Sequence, residues 1–196
     1  MTDHLSGEKF EQRDFEKPGL LFRFCLAAIH PFFTGPIIYA PFVEKLGLEG
    51  NERVLEFGCG NGVLMTYLAK SLGKGGSATG VDTSSYMTDR ARKRLAPFSN
   101  AEILRGDIRT LELRPGSFDL VIFIHVLHDI APEKRQGIMD ALSRLLVPGG
   151  RLCLMEPVSP SHGMPVEEIR SLAESAGLSV TEIAPMGRRV RVSCLK

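Results

Sequence analysis

Three glycines alternate at Gly58, Gly60 and Gly62 in the stretch EFGCGNG, and an acid, Glu56, stands two residues before the first of them. Glycines placed directly behind a short apolar run allow a tight turn and let the backbone come close to a bound group. Their spacing selects among ligands. A phosphate-binding P-loop ends in Gly-Lys-Ser/Thr, but Gly62 is followed by Val63 and Leu64. The dinucleotide fingerprint G-x-G-x-x-G would place its third glycine at Val63; the glycine stands at Gly62 instead. In a dinucleotide site Glu56 would face a pyrophosphate region, an unfavourable choice of charge.

The elements that position this loop follow from apolar patterning. From position 52 strands and helices alternate. RVLEFG is an apolar run ending in glycine, as a buried parallel strand does. VLMTYLAKSLG has helical spacing and a stop at Gly73. SATGVD, AEILRGD, FDLVIFIH and GGRLCLMEP read as further strands, the last entered through Pro148-Gly149-Gly150. SSYMTDRARKRLA reads as a helix capped by Ser84 or Ser85. PEKRQGIMDALSRLL has Pro132 near its first turn, and PVEEIRSLAESAG stops at Gly177. LSVTEIA and RRVRVSC, joined by PMG, read as a hairpin. The expectation is an α/β fold: a Rossmann-like, seven-stranded, mostly parallel sheet with helices on both faces and a C-terminal antiparallel hairpin. Ligands of such a sheet bind at the carboxyl ends of its strands.

The 196 residues are 43% hydrophobic and 24% charged, which fits one soluble globular domain. A net charge of +1 gives no basic excess, so no nucleic-acid partner is expected. The four cysteines, Cys25, Cys59, Cys153 and Cys194, lack metal or redox spacing and read as reduced thiols of a cytoplasmic protein. Residues 1–18 are polar and read as a flexible tail. Residues 19–48 are the most apolar stretch, but Arg23, His30, Pro31, Pro36 and Pro41 interrupt it too often for a membrane span. They read as two short helices with a Pro-rich corner. Packing on the sheet edge, a lid over an acceptor and a peripheral membrane contact all remain open for them.

EFGCGNG resembles the first motif of the class I S-adenosylmethionine-dependent methyltransferases, an acid, one residue, then G-x-G-x-G, and matches it in full. The resemblance covers about residues 50 to 195 and implies S-adenosylmethionine as cofactor. It implies that Gly58, Gly60 and Gly62, with Phe57 and Cys59 between and beside them, approach the methionine part. Glu56 would orient the loop or reach the cofactor's ammonium group. Asp82, ending GVD, would accept the ribose hydroxyls, with Thr83 next to it. Met87 or Tyr86 would pack on the adenine. Asp107 in RGDI would bond the adenine amino group, flanked by Gly106 and Ile108. His125 would line the cofactor side or be a satisfied core histidine.

The loop after the fourth strand, FIHVLHDIAPEK, resembles the VLHDW segment of small-molecule O-methyltransferases that use a histidine base, with Ile130 replacing the tryptophan. The resemblance makes His128 the catalytic base and Asp129 its neighbour; a positioning or structural role for His128 stays open. Histidine titrates near neutral pH, which suits a base. A metal held by His125, His128, Asp129 or Glu156 is not expected, since the rest of the magnesium-dependent pattern is missing. Neither an Asn/Asp-Pro-Pro-Tyr/Phe motif nor a Pro-Cys pair follows the fourth strand. Arg188, Arg189 and Arg191 are a modest basic cluster that reads as a solvated strand face rather than as a grip for an anionic acceptor.

The expected function is methyl transfer to oxygen or nitrogen of a small, rather hydrophobic acceptor: a phenol, quinone precursor, lipid or secondary metabolite. Tyr39 and the phenylalanines at 22, 24, 32, 33 and 42 are candidate walls for it. The chain is expected to act as a monomer or homodimer. The alternatives are a non-catalytic cofactor-binding partner subunit and a nicotinamide-dependent oxidoreductase.

Overall fold

The computed structural model describes residues 34–159 and 162–196. Its strands are β1 (Arg53–Phe57), β2 (Ser77–Asp82), β3 (Ala101–Arg105), β4 (Phe118–Ile124), β5 (Leu146–Ser159), the two-residue β6 (His162–Gly163), β7 (Ser179–Met186) and β8 (Arg189–Leu195). Seven of them form one sheet in the order β3-β2-β1-β4-β5-β8-β7, and β6 folds back on the end of β5. The first five in that order are parallel. β8 is antiparallel to both its neighbours. The helices are α1 (Ala40–Lys45), preceded by a π-helical turn at Gly35–Tyr39, then α2 (Val63–Ser71), α3 (Ser85–Leu95), α4 (Pro132–Leu145) and α5 (Val166–Ser175). The expected fold class is the one observed.

Two-sided burial explains the continuous apolar runs of the central strands. Leu55, Val121, Phe123, Leu152 and Leu154 join one core with residues of α4 and α5. Val54, Leu120, Ile122, Cys153 and Met155 join a second core with residues of α1, α2 and α3. Neighbouring residues therefore point to opposite faces and both faces are covered. The hydroxyl of Ser84 caps α3 by accepting from the Met87 N–H at 3.2 Å. Proline begins α4, and Gly177 closes the turn after α5 at φ 77°.

Three local boundaries differ from expectation. The hairpin turn is Gly187-Arg188 rather than Pro185-Met186-Gly187: Gly187, at φ 68°, supplies the left-handed backbone of a two-residue turn. Pro185 fits within β7 because that strand is an edge of the sheet. α2 stops at Ser71, and Gly73 instead donates its N–H to Gly50 O at 2.7 Å. β5 is longer than expected at both ends, starting at Leu146 and running to Ser159.

Residues 1–33 lie outside the described residues, and with them the expected tail, Cys25 and the candidate walls Phe22, Phe24, Phe32 and Phe33. In the part of 19–48 that is described, Phe42, Val43 and Leu46 are buried in the second core. Phe42 is thus a packing residue and not a wall. Among the described residues no helix is long and apolar enough to cross a membrane.

Gly62 starts α2 at φ 75°, and a Cβ on it would lie 3.0 Å from the Cβ of Ala91 on α3. Gly62→Ala is therefore expected to cost about 1–3 kcal/mol through overpacking added to backbone strain. Gly116→Ala, at φ 64° with open space around it, carries the backbone strain alone. A larger drop in urea midpoint for the first variant than for the second checks this.

Candidate active site

The sheet order reverses between β1 and β4, and a cavity of about 810 Å³ opens there at the carboxyl ends of the strands. Its lining brings together Glu56, Phe57, Gly58, Cys59, Gly60, Asp82, Thr83, Met87, Gly106, Asp107, Ile108, His125, His128 and Asp129. Gly62 is placed apart, in the packing between α2 and α3. Tyr86 also lies off the lining; the Arg90 guanidinium sits 5.5 Å over its ring. Of the two candidates for an adenine wall, only Met87 faces the cavity.

The glycine loop is braced by backbone bonds and by Asp82. Gly58 and Cys59 both donate to Val81 O, at 2.8 and 3.0 Å. Gly60 donates to Asp82 Oδ2 and Ser84 to Asp82 Oδ1, each at 2.9 Å. Asp82 thus ties the loop after β1 to the start of α3. A Cβ on Gly58 would meet the Val126 side chain at 2.6 Å, so this glycine is where the loop after β4 closes on the loop after β1. Asp107 is engaged by Arg109, whose Nε donates to Oδ1 at 3.0 Å and whose backbone N–H donates to the same oxygen at 2.9 Å. That guanidinium holds the Asp107 carboxyl below the usual range.

Glu56 is different. It is 5% exposed, and its Oε2 has no hydrogen-bond partner. Burial pushes its carboxyl well above the usual range, and the Asp82 charge adds to this. A buried acceptor facing a cavity without a donor fits a ligand that brings a cation or a donor of its own. Tyr39 stands close by as a cavity wall, its phenol pushed up by burial and by the Glu56 charge.

Behind the other wall of the cavity β5 carries Glu156, which is fully buried. Its Oε1 accepts from the backbone N–H groups of Val126 and Leu127, both at 2.8 Å. Its Oε2 lies 2.7 Å from His128 Nδ1. A carboxylate already accepting two N–H bonds makes Nδ1 the protonated nitrogen and leaves Nε2 as the basic one. Nε2 lies 3.6 Å from Asp129 Oδ2. His125, at φ 57°, is the only non-glycine with positive φ among the described residues, a conformation that clusters at functional sites. Its ring meets that of His128 edge-on at 6.1 Å. Burial holds its pKa below the usual histidine value against the opposing charge of Glu156, and the Arg189 charge acts in the same direction as burial.

The sequence reading missed the role of Glu156, weighing it only as a metal ligand. It also placed Arg188 and Arg189 on a solvated face; Arg188 is indeed exposed and Arg189 half-buried, but both border the cavity, while Arg191 is paired away, to Glu182 at 2.9 Å. The register that sets Arg189 opposite Pro157 could not be read without the sheet. Among the described residues no group of three or more His, Cys, Asp or Glu is disposed to hold a metal ion.

The fold is that of the S-adenosylmethionine-dependent methyltransferases. A solved member from Aquifex aeolicus superposes with a TM-score of 0.75 over 91% of this chain and 99% of its own, at 19% identity. Residues 54–150 match the family described as "Methyltransferase domain". Residues 54–150 thus carry a methyltransferase domain, in a chain with the fold of the S-adenosylmethionine-dependent enzymes. An uncharacterised methyltransferase of Mycobacterium bovis is 37% identical over 127 residues, 64% of this chain and 60% of that protein. A demethylmenaquinone methyltransferase of Staphylococcus aureus is 27% identical over 119 residues, 61% of this chain and 48% of that protein. The chain thus spans about half the length of these curated relatives.

Glu56 yields a prediction about pH. Its folded pKa is raised, so its contribution to ligand-free stability is full below the unfolded value, about 4.3, and is lost as pH rises through the raised value. The urea midpoint of the wild type relative to Glu56→Gln should therefore fall as pH increases across that window. A difference independent of pH would show that the carboxyl is not buried as described.

Proposed function

We propose that the protein transfers a methyl group to an oxygen or nitrogen of a small acceptor with an apolar body, with His128 as general base. The observation that carries this reading is the buried Glu156–His128 pair at 2.7 Å, whose His128 lines the same cavity as the glycine loop. S-adenosylmethionine, when bound, supplies an activated methyl group on a sulfonium. The residues that would hold it are Glu56, the loop Gly58–Gly60, Asp82, Met87 and Ile108. The unpartnered Oε2 of Glu56 fits the cofactor's ammonium group, and the buried Met87 and Ile108 fit an aromatic ring.

The chain's own contribution is alignment and proton removal. Glu156 orients the imidazole and fixes its tautomer, so that Nε2 takes the acceptor's proton. Asp129 is placed to stabilise the imidazolium that results. Tyr39, Ile124 and Ile130 give the cavity apolar walls, which supports an acceptor with an apolar body. The Staphylococcus aureus relative, named for demethylmenaquinone, is consistent with such an acceptor.

Isothermal titration with S-adenosylhomocysteine should give micromolar affinity, about −8 kcal/mol, lost in Asp82→Ala because the loop brace goes with it. His128→Ala should leave that affinity unchanged and lower turnover by about 10²- to 10⁴-fold. Equal losses in affinity and turnover would remove His128 from the role of base.

A further inference from the structure

Four cations border the cavity: Arg109, Lys134, Arg188 and Arg189. Arg109 is neutralised by Asp107, and the Lys134 charge also acts on Asp107. Both therefore serve Asp107 just past the end of β3, Arg109 from the loop that follows and Lys134 from the first turn of α4. Arg188 and Arg189 differ, because neither forms a salt bridge with any described residue, while their neighbour Arg191 is held by Glu182. Their position is fixed by the backbone. The Val158 N–H donates to Arg188 O at 2.9 Å, and Arg189 stands opposite Pro157 in the β5–β8 pairing. The hairpin tip is thereby pinned beside Ser159, and the Arg189 charge reaches His125.

The residues suited to the cofactor occupy the loop after β1 and the ends of β2 and β3. The two arginines lie across the switch point, on the side of β4, β5 and β8, with His128 on that same side. That half is the space left for the acceptor. A purely apolar acceptor seated against the half-buried Arg189 would cover its charge without pairing it, which is unfavourable. A guanidinium presents a planar fork of donors that matches carboxylate or phosphate oxygens.

We propose that the acceptor carries an anionic group, a carboxylate or a phosphate ester, seated against Arg188 and Arg189, with its apolar body toward Tyr39 and Ile124 and its reacting atom toward His128. This assignment rests on the methyl-transfer reading and narrows the acceptor class from apolar to amphipathic.

The test titrates 4-hydroxybenzoate, 4-hydroxyphenyl phosphate and the neutral 4-hydroxybenzamide into the protein saturated with S-adenosylhomocysteine. At least one anion should bind about tenfold tighter than the amide, a difference of about 1.4 kcal/mol. In the Arg188→Gln/Arg189→Gln double variant that preference should vanish while S-adenosylhomocysteine affinity is retained, which also reports that the variant is folded. Arg189→Lys should restore part of the preference, since the charge returns without the fork. The tighter of the two anions names the group. Equal binding of amide and anions, no binding of either anion, or a preference that survives the double variant overturns the assignment. Failure of the wild type to bind S-adenosylhomocysteine overturns the methyltransferase reading, and the acceptor assignment falls with it.

Discussion

Backbone N–H groups at the carboxyl ends of parallel strands must find acceptors once the loops that follow are buried. In this protein backbone oxygens such as Val81 O supply some of them and side-chain carboxylates supply others. Asp82 receives Gly60 and Ser84, Glu156 receives Val126 and Leu127, and Asp107 receives Arg109. Each therefore shapes a loop before it can touch a ligand. The loops after β1 and β4 then meet at Gly58 and Val126, where a side chain larger than hydrogen would not fit.

Glu56 departs from this pattern. It lies on β1 opposite Gly80, is buried, and has one oxygen with no hydrogen-bond partner. An acidic residue that braces nothing at that oxygen and raises its own pKa is costly in the ligand-free fold. Its position at the floor of the cavity makes that cost recoverable only on binding. The same logic applies with opposite sign to Arg189, a cation in the cavity wall with no salt bridge to any described residue. The site is thus electrically divided: a Glu56 oxygen without a hydrogen-bond partner on the glycine-loop side, and Arg188 and Arg189 without a salt bridge to any described residue on the hairpin side.

His128 sits between the two halves. Glu156 orients it, and that carboxylate also holds the turn Leu127–Asp129 in place. Orientation of the imidazole and shape of the loop are consequently one interaction. Any change at Glu156 alters both, whereas a change at His128 leaves the two backbone bonds intact.

Much of the fold was legible in the residues. Alternating strands and helices, glycine and proline stops, and the continuous apolar runs of β1, β4 and β5 follow from local stereochemistry and two-sided burial, so the seven strands of the main sheet, its mostly parallel character and the C-terminal hairpin could be read directly. The glycine loop, Asp82, Asp107 and the His128–Asp129 segment were also legible, because each is a short motif at the end of one element. Three things were not. Phe42 reads like any other phenylalanine of its apolar segment, yet packing places it in the core while Tyr39, three residues earlier, reaches the cavity. Glu156 lies 28 residues from His128, and only the β4–β5 register brings them to 2.7 Å. Arg188 and Arg189 look like a solvated strand face until the turn at Gly187-Arg188 and the pairing of β8 with β5 carry them over the cavity. Local sequence determined which elements form and which chemistry each strand end offers. The tertiary structure alone decided which of those groups share a cavity, because that depends on long-range register and on which charges burial leaves unpaired.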